Sequence, residues 1–408
     1  MQRFYTKFVK TVIFEIANKN QARKIFQPAF SAPNIVQMDV VSLTRELLSF
    51  NNINPPGNEE EIARFTGRRL SDNGFRTEYY SFGEGRLHLV AERGLSETQP
   101  PVVLSGHFDT VPLGNKKWNE DPFSGRVANG KIWGRGSSDM KGGLAAMIMA
   151  SIGAFKGSVP PGGVRLIFTA AEELGCIGIQ HLAKILTDPG KASAVIVGEP
   201  TSNHPYIGHK GALYINAVTQ GITAHSSMPH LGDNAIYKAA QSILKAKDFN
   251  FRAEKDPLLG FPTINVGRMS GGMNINSVPD HAEFSIDIRS TSKVDHNDLL
   301  QRLTKEFGPE TALETLVNMG SVHTDETDPF VQMVYDICRV DRENNSRIKT
   351  LPYLTDGSVL QRLYKGAPTI ILGPGQPEMA HQTDEFCYTD KLEEAVNIYR
   401  DIILKWRN

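Results

Sequence analysis

Residues 101–112 read PVVLSGHFDTVP, an apolar run of strand length that gives way to His107 and Asp109. Side chains two apart on a strand point to the same face, so this pair projects together from the strand's carboxyl end, where open α/β sheets bind ligands. Similar short apolar runs flank it: LHLVAERG (87–94), GVRLIFTAAE (163–172) and SAVIVGEP (193–200). Helical patterns alternate with them in VVSLTRELLSF (40–50), GGLAAMIMASIGAF (142–155) and GIQHLAKIL (178–186). The alternation predicts an α/β fold, a mostly parallel sheet covered by helices.

After Lys210 the pattern changes. ALYINAVTQG (212–221) and AEFSIDIRS (282–290) alternate as strands buried on one face, accompanied by the helical stretches DNAIYKAAQSILKA (233–246) and VDHNDLLQRLTKEF (294–307). Residues 210–320 therefore read as a smaller α+β sandwich inserted in a discontinuous α/β domain of residues 38–209 and 321–408. The latter resumes with PFVQMVYDICRV, TIILGPG and KLEEAVNIYRDIILKW. Residues 1–37 stand apart as a basic extension, with Arg3, Lys7, Lys10, Lys19, Arg23 and Lys24 facing Glu15 alone. Lys10 and Glu15 interrupt its best apolar run, which argues against a secretory signal.

The 408 residues carry 44 Lys plus Arg against 45 Asp plus Glu, a net charge of −1 that offers nothing to nucleic acid or an anionic membrane surface. The three cysteines, Cys176, Cys338 and Cys387, are far apart and form no C-x-x-C pair, which disfavours a disulfide framework or thiolate zinc site and fits a reducing cytoplasm.

Chemistry collects where strands end. GRGSSDMKGG (134–143) places Asp139 among glycines before a helix, where it also reads as a helix cap. FTAAEELG ends in the adjacent acids Glu172 and Glu173, AVIVGEP carries Glu199, and AHQTDE places His381 in a loop after TIILGPG. Two neighbouring anions at the end of a buried strand repel unless cations compensate. His107, Asp139, Glu173, Glu199 and His381 make a nitrogen and oxygen donor set suited to zinc. One bridging carboxylate, with one imidazole and one further carboxylate on each ion, gives two ions three protein ligands apiece.

The segments SGHFDTVP, WNEDPFSG, GRGSSDMKGG, TAAEELG, GEPTS, GHKG, TAHSSMP, SGGMNIN, DIRS and LGPG with AHQTDE occur in that order across residues 38–408. This run resembles the dinuclear zinc amidohydrolases and exopeptidases, a family that includes acetylornithine deacetylase, succinyl-diaminopimelate desuccinylase, aminoacylase and carboxypeptidase G. The resemblance implies that Asp139 bridges two divalent metal ions, zinc or else cobalt. It further implies His107 and Glu199 on one ion, Glu173 and His381 on the other, Glu172 as general base for a metal-activated water and Asp109 as the residue that orients His107. The inserted domain would carry the homodimer interface, His225 would stabilise the oxyanion in the partner's active site, and Arg289 with nearby Asn274 would bind the substrate's carboxylate. For Arg289 a strand salt bridge is the competing reading.

The motif set lies nearest acetylornithine deacetylase, which implies hydrolysis of an N-acyl amino acid in amino-acid biosynthesis. Desuccinylase and carboxypeptidase or dipeptidase activities are alternatives within the family. Outside it stands a catalytically lapsed protein that binds amino-acid derivatives, which would have no chemical need for Glu172.

Overall fold

The computed structural model describes residues 39–344 and 348–407, and the basic extension of residues 1–37 lies outside them. Two compact units emerge. One comprises the described residues through Ile207 with Thr324–Lys349 and the residues from Thr355; the other comprises Gly208–His323 and Thr350–Leu354.

The first unit is built on a six-stranded sheet of β1 (Arg76–Gly83), β2 (Arg86–Arg93), β3 (Val102–His107), β6 (Val164–Thr169), β7 (Ala194–Val197) and β15 (Thr369–Ile371), in the order β1-β2-β6-β3-β7-β15. The pairings β6–β3, β3–β7 and β7–β15 are parallel, whereas β1–β2 and β2–β6 are antiparallel. Every residue of VVLSGH, VRLIFT and AVIV is buried, as expected of central strands covered on both faces. Parallel strands end on the same edge, which brings His107, the Glu172–Glu173 pair and Glu199 to one rim.

Helix α3 (Lys141–Ala154) is apolar almost all round and correspondingly buried, packed against α1 (Val40–Leu48) and the terminal helix α9 (Thr389–Lys405). Its glycines have a use at the rim: a Cβ on Gly143 would lie 2.5 Å from the Gly198 carbonyl oxygen, so only glycine lets the helix start reach the strand end that carries Glu199. Asp39 caps α1 by accepting from the Ser42 amide at 2.7 Å. A small sheet of β4 (Arg126–Ala128), β5 (Lys131–Trp133) and β16 (Phe386–Tyr388), in the order β16-β5-β4, lies in the same unit.

The loop before α3 is shaped by a buried ion pair. Glu385 accepts from the amides of Gly136 (3.0 Å), Ser138 (2.8 Å) and Asp139 (2.9 Å), and its charge is met by Arg135 Nη1 at 2.5 Å. Three backbone donors thus converge on one carboxylate, which sets the direction in which Asp139 leaves the chain. Lys141, also fully buried, donates from Nζ to the Phe50 carbonyl at 2.7 Å, and burial draws its ammonium down to about 7.

The second unit is a four-stranded antiparallel sheet of β9 (Gly211–Gln220), β10 (Thr263–Gly271), β11 (His281–Ser290) and β12 (Thr311–Met319), in the order β10-β11-β9-β12, with helices α5 (Ala235–Lys247) and α6 (His296–Phe307). Leu213, Ile215, Phe284, Ile286, Leu303 and Phe307 belong to its core, each worth about 1.5–3 kcal/mol of burial. Among the described residues no helix is long and apolar enough to cross a membrane.

Both partners of the Arg135–Glu385 pair are shielded from water, at 1% and 0% side-chain exposure, so removing one strands the other charge. Arg135→Met should therefore lower unfolding free energy by about 3–5 kcal/mol in urea titration. A loss below about 1 kcal/mol would show that the pair does not hold this loop.

Candidate metal centre and active site

The rim of the parallel strands assembles the cluster. His107 is the last residue of β3, Glu172 and Glu173 follow β6, Glu199 follows β7, Asp139 precedes α3, and His381 lies in the loop after β15. Asp139 faces both imidazoles: its Oδ1 is 3.2 Å from His107 Nε2 and its Oδ2 is 3.4 Å from His381 Nε2. Glu199 Oε1 stands 3.8 Å from His107 Nε2, and Glu173 Oε2 stands 3.1 Å from His381 Nε2. Asp139 does not cap α3, whose N-cap position is Met140 with no side-chain bond.

The structure therefore brings together all five candidate ligands, from five separate segments, with Glu172 among them. Donor atoms of His107, Asp139 and Glu173 lie within 4.8 Å of one another, as do those of His107, Glu172 and Glu199. Glu172 thus belongs with the donors by distance, although the sequence reading set it apart as a base. His107 is 1% exposed and His381 54%, so the cluster opens to solvent on the His381 side.

Burial and close contacts perturb every titratable member of the cluster. Burial pushes Glu172 and Glu199 well above the usual carboxylate range and raises Glu173. Burial opposes charge on His107 as well, yet its contact with Asp139 and the nearby Glu199 and Glu172 drive it well above an ordinary imidazole. The Asp139 and Glu173 contacts carry His381 up to about 11. Burial would raise Asp139, but the two imidazoles win and hold it low. Four buried carboxylates thus recruit protons or cations, and Glu173 Oε1 is buried with no hydrogen-bond partner among the described residues. The nitrogen and oxygen donor set, its spacing and that orphaned oxygen fit divalent cations.

Asp109 meets His107 through its main chain rather than through its carboxylate. The short contact of His107 Nδ1, 2.8 Å, is to the main-chain carbonyl of Asp109, while the carboxylate stands 3.7 Å away. That carboxylate instead accepts from the Glu172 amide (3.1 Å), the Glu173 amide (3.2 Å) and Asn54 Nδ2 (2.8 Å). Asp109 therefore anchors both neighbours, His107 through its backbone and the two glutamates through its side chain.

Sequence reasoning missed Asn54, Arg135, Glu385 and Asp356. Asp356 accepts from Thr169 Oγ1 at 2.7 Å, and burial raises its carboxyl to about 6. Glu385 had a signal, being the last residue of the quoted AHQTDE segment; Asn54, in NINPPG, had none.

His225, Asn274 and Arg289 lie in the second unit, outside the cluster's own unit. His225 is exposed, its Nδ1 2.7 Å from Ser227 Oγ, and Asn274 is exposed in the loop after β10. Arg289, on β11, is paired with Asp287 at 2.9 Å and donates to the Tyr214 hydroxyl at 2.8 Å, so the strand salt bridge is present.

Residues 103–405 match the sequence profile of Peptidase family M20/M25/M40. The chain is 29% identical over 402 residues to a probable succinyl-diaminopimelate desuccinylase of Staphylococcus epidermidis, covering 90% of this chain and 97% of that one. It is equally 29% identical over 367 residues to an acetylornithine deacetylase of Vibrio atlanticus, covering 86% and 92%. The crystal structure of an M20 family metallo-carboxypeptidase from Sulfolobus solfataricus shares the fold, with a TM-score of 0.72 over 90% of this chain and 99% of its own at 19% identity. A match that begins inside β3, ends with α9 and spans all five strand-end segments places the chain in Peptidase family M20/M25/M40, as one of its metallo-hydrolases.

Proposed function

We propose that the protein hydrolyses the amide bond of an N-acyl amino acid, N-acetylornithine first, with two divalent cations held at the strand-end cluster. One observation carries the reading: a single carboxylate, Asp139, faces both imidazoles, with Glu199 beside one, Glu173 beside the other and Glu172 within reach. Asp139 would bridge the ions, His107 and Glu199 would complete one site, and Glu173 and His381 the other. Imidazole and carboxylate donors suit zinc, with cobalt as the substitute. When bound, such ions supply Lewis acidity for hydrolysis near neutral pH.

The chain's own groups do the remaining work. Glu172 takes a proton from the attacking water and delivers it to the departing amine. Its position is set by the Asp109 carboxylate, which holds the Glu172 amide, and by the Cys176 thiol, which donates to Glu172 Oε1 at 3.0 Å. Asp109 also fixes the His107 tautomer, because Nδ1–H faces the Asp109 carbonyl and leaves Nε2 free to bind. Arg289 offers a planar fork to a substrate carboxylate, Asn274 assists it, and His225 stabilises the oxyanion across a homodimer.

Exposed apolar side chains on the second unit support that pairing: Ile222, Tyr237, Leu244, Met269 and Ile275 are all open to solvent within residues 210–320. The three cysteines are free, in keeping with a cytoplasmic setting. An acetylornithine substrate would place the reaction in arginine biosynthesis. The desuccinylase reading is retained because that relative matches at the same identity over more of the chain.

A panel of N-acetyl, N-succinyl and dipeptide substrates, assayed with added zinc or cobalt, tests the substrate; N-acetylornithine should turn over fastest, and no turnover of any member would favour a lapsed binding protein. Glu172→Gln should keep its metal by elemental analysis but lose about 10²–10⁴-fold in kcat. Near wild-type turnover would remove Glu172 as the base. Arg289→Met should raise KM for free acids more than for their amides, and equal effects on both would place Arg289 in the strand rather than against substrate.

A further inference from the structure

A second cluster begins where the first ends. Cys176, at the N-terminal cap of α4 (Ile177–Ile185), has left-handed backbone with φ of 56°. Its amide donates to the Glu172 carbonyl at 2.6 Å and its thiol to Glu172 Oε1 at 3.0 Å. Asp356 also lies close to the sulfur. One donor atom from each of Glu172, Cys176 and Asp356 lies within 4.8 Å of the other two, and all three residues are buried. Asp356 Oδ2 is engaged by Thr169, whereas Oδ1, on a residue 1% exposed, has no hydrogen-bond partner at normal distance among the described residues, and the Cys176 thiol is the polar group that acts on this carboxylate from the cluster. Among the described residues neither Glu172 nor Asp356 forms an ion pair with Lys or Arg.

We infer that Glu172, Cys176 and Asp356 form a third cation site, sharing Glu172 with the neighbouring cluster, which takes a thiophilic divalent cation such as Cd²⁺ or surplus Zn²⁺ and thereby stops hydrolysis. The inference rests on Glu172 being the base. Tetrahedral donors at about 2.0–2.3 Å from zinc stand about 3.5 Å apart, a spacing that these three atoms can meet with small rotations. One sulfur and two oxygens select a borderline or soft cation over Ca²⁺ or Mg²⁺, which want six or more oxygens. Unlike the first cluster, this one offers no imidazole, and the cation must displace the thiol proton. It therefore fills only after the strand-end ligands are satisfied. Once filled, it occupies the carboxylate that would accept the water's proton.

The test starts from enzyme loaded with its resident ions and adds Cd²⁺. One further ion per chain should bind by equilibrium dialysis, with a thiolate-to-cadmium charge-transfer band in the ultraviolet, and kcat should fall at least tenfold as the band saturates. Cys176→Ala should keep the resident ions while losing the additional ion, the band and the inhibition. Asp356→Asn should weaken the additional binding at least tenfold and provides the check if Cys176→Ala fails to fold. Exchange of Cd²⁺ for resident ions with no thiolate band would overturn the site, as would inhibition that persists unchanged in Cys176→Ala. An additional ion with its band but undiminished turnover would uphold the site and overturn Glu172 as the base.

Discussion

Four carboxylates gathered out of water around two imidazoles form the constraint on which the rest of the first unit depends. Asp139, Glu172, Glu173 and Glu199 could not share that rim as bare anions, because desolvation and mutual repulsion both oppose it. The fold answers with geometry. Asp139 is placed between the two imidazoles, and the backbone amides around the cluster point at two further carboxylates, Asp109 and Glu385, which lie behind it. Those two acids are the scaffold: one pins the Glu172–Glu173 turn, the other pins the approach to Asp139.

The parallel arrangement of β6, β3 and β7 makes the convergence possible. Their registers put Leu104 opposite both Leu166 and Ile196, so the strands run level and finish at one edge. Each can then be fully apolar along its length and polar only where it stops. Candidate ligands on strand ends inherit the rigidity of the sheet, whereas His381, on the loop beyond β15, is half exposed and is oriented through its acid neighbours.

This division also explains what could be read from sequence. Buried parallel strands announce themselves as unbroken apolar runs, and a polar residue at or just past the end of such a run stands out, as His107, Glu172, Glu173 and Glu199 do. Strands half open to solvent carry no such contrast. β10 is exposed along most of TINVGRMSG, and β12, TALETLVNM, is rich in residues that favour helix; neither was anticipated, although their neighbours β9 and β11 alternate cleanly. β1 escaped for a related reason, since RTEYYSFG carries charge and hydroxyl groups on an edge strand. Asn54 and Glu385 act on partners 55 and 246 residues away, Asp109 and Asp139, and a long-range hydrogen bond leaves no local pattern. Arg289 is the opposite case: its salt-bridge partner Asp287 is two residues away on the same strand face, a local contact of the kind the competing reading expects.

The candidate ligands and Glu172 all belong to one compact unit, while Arg289, His225 and Asn274 belong to the other. The first group is bound together by short contacts across five segments, so a change at any member redistributes charge over the whole cluster. Arg289 has a simpler setting: it leans on Tyr214 and Asp287 within one antiparallel sheet whose core is independent of the cluster. The strand-end cluster and the surroundings of Arg289 are therefore separable by mutation, because the contacts named for each lie within its own unit.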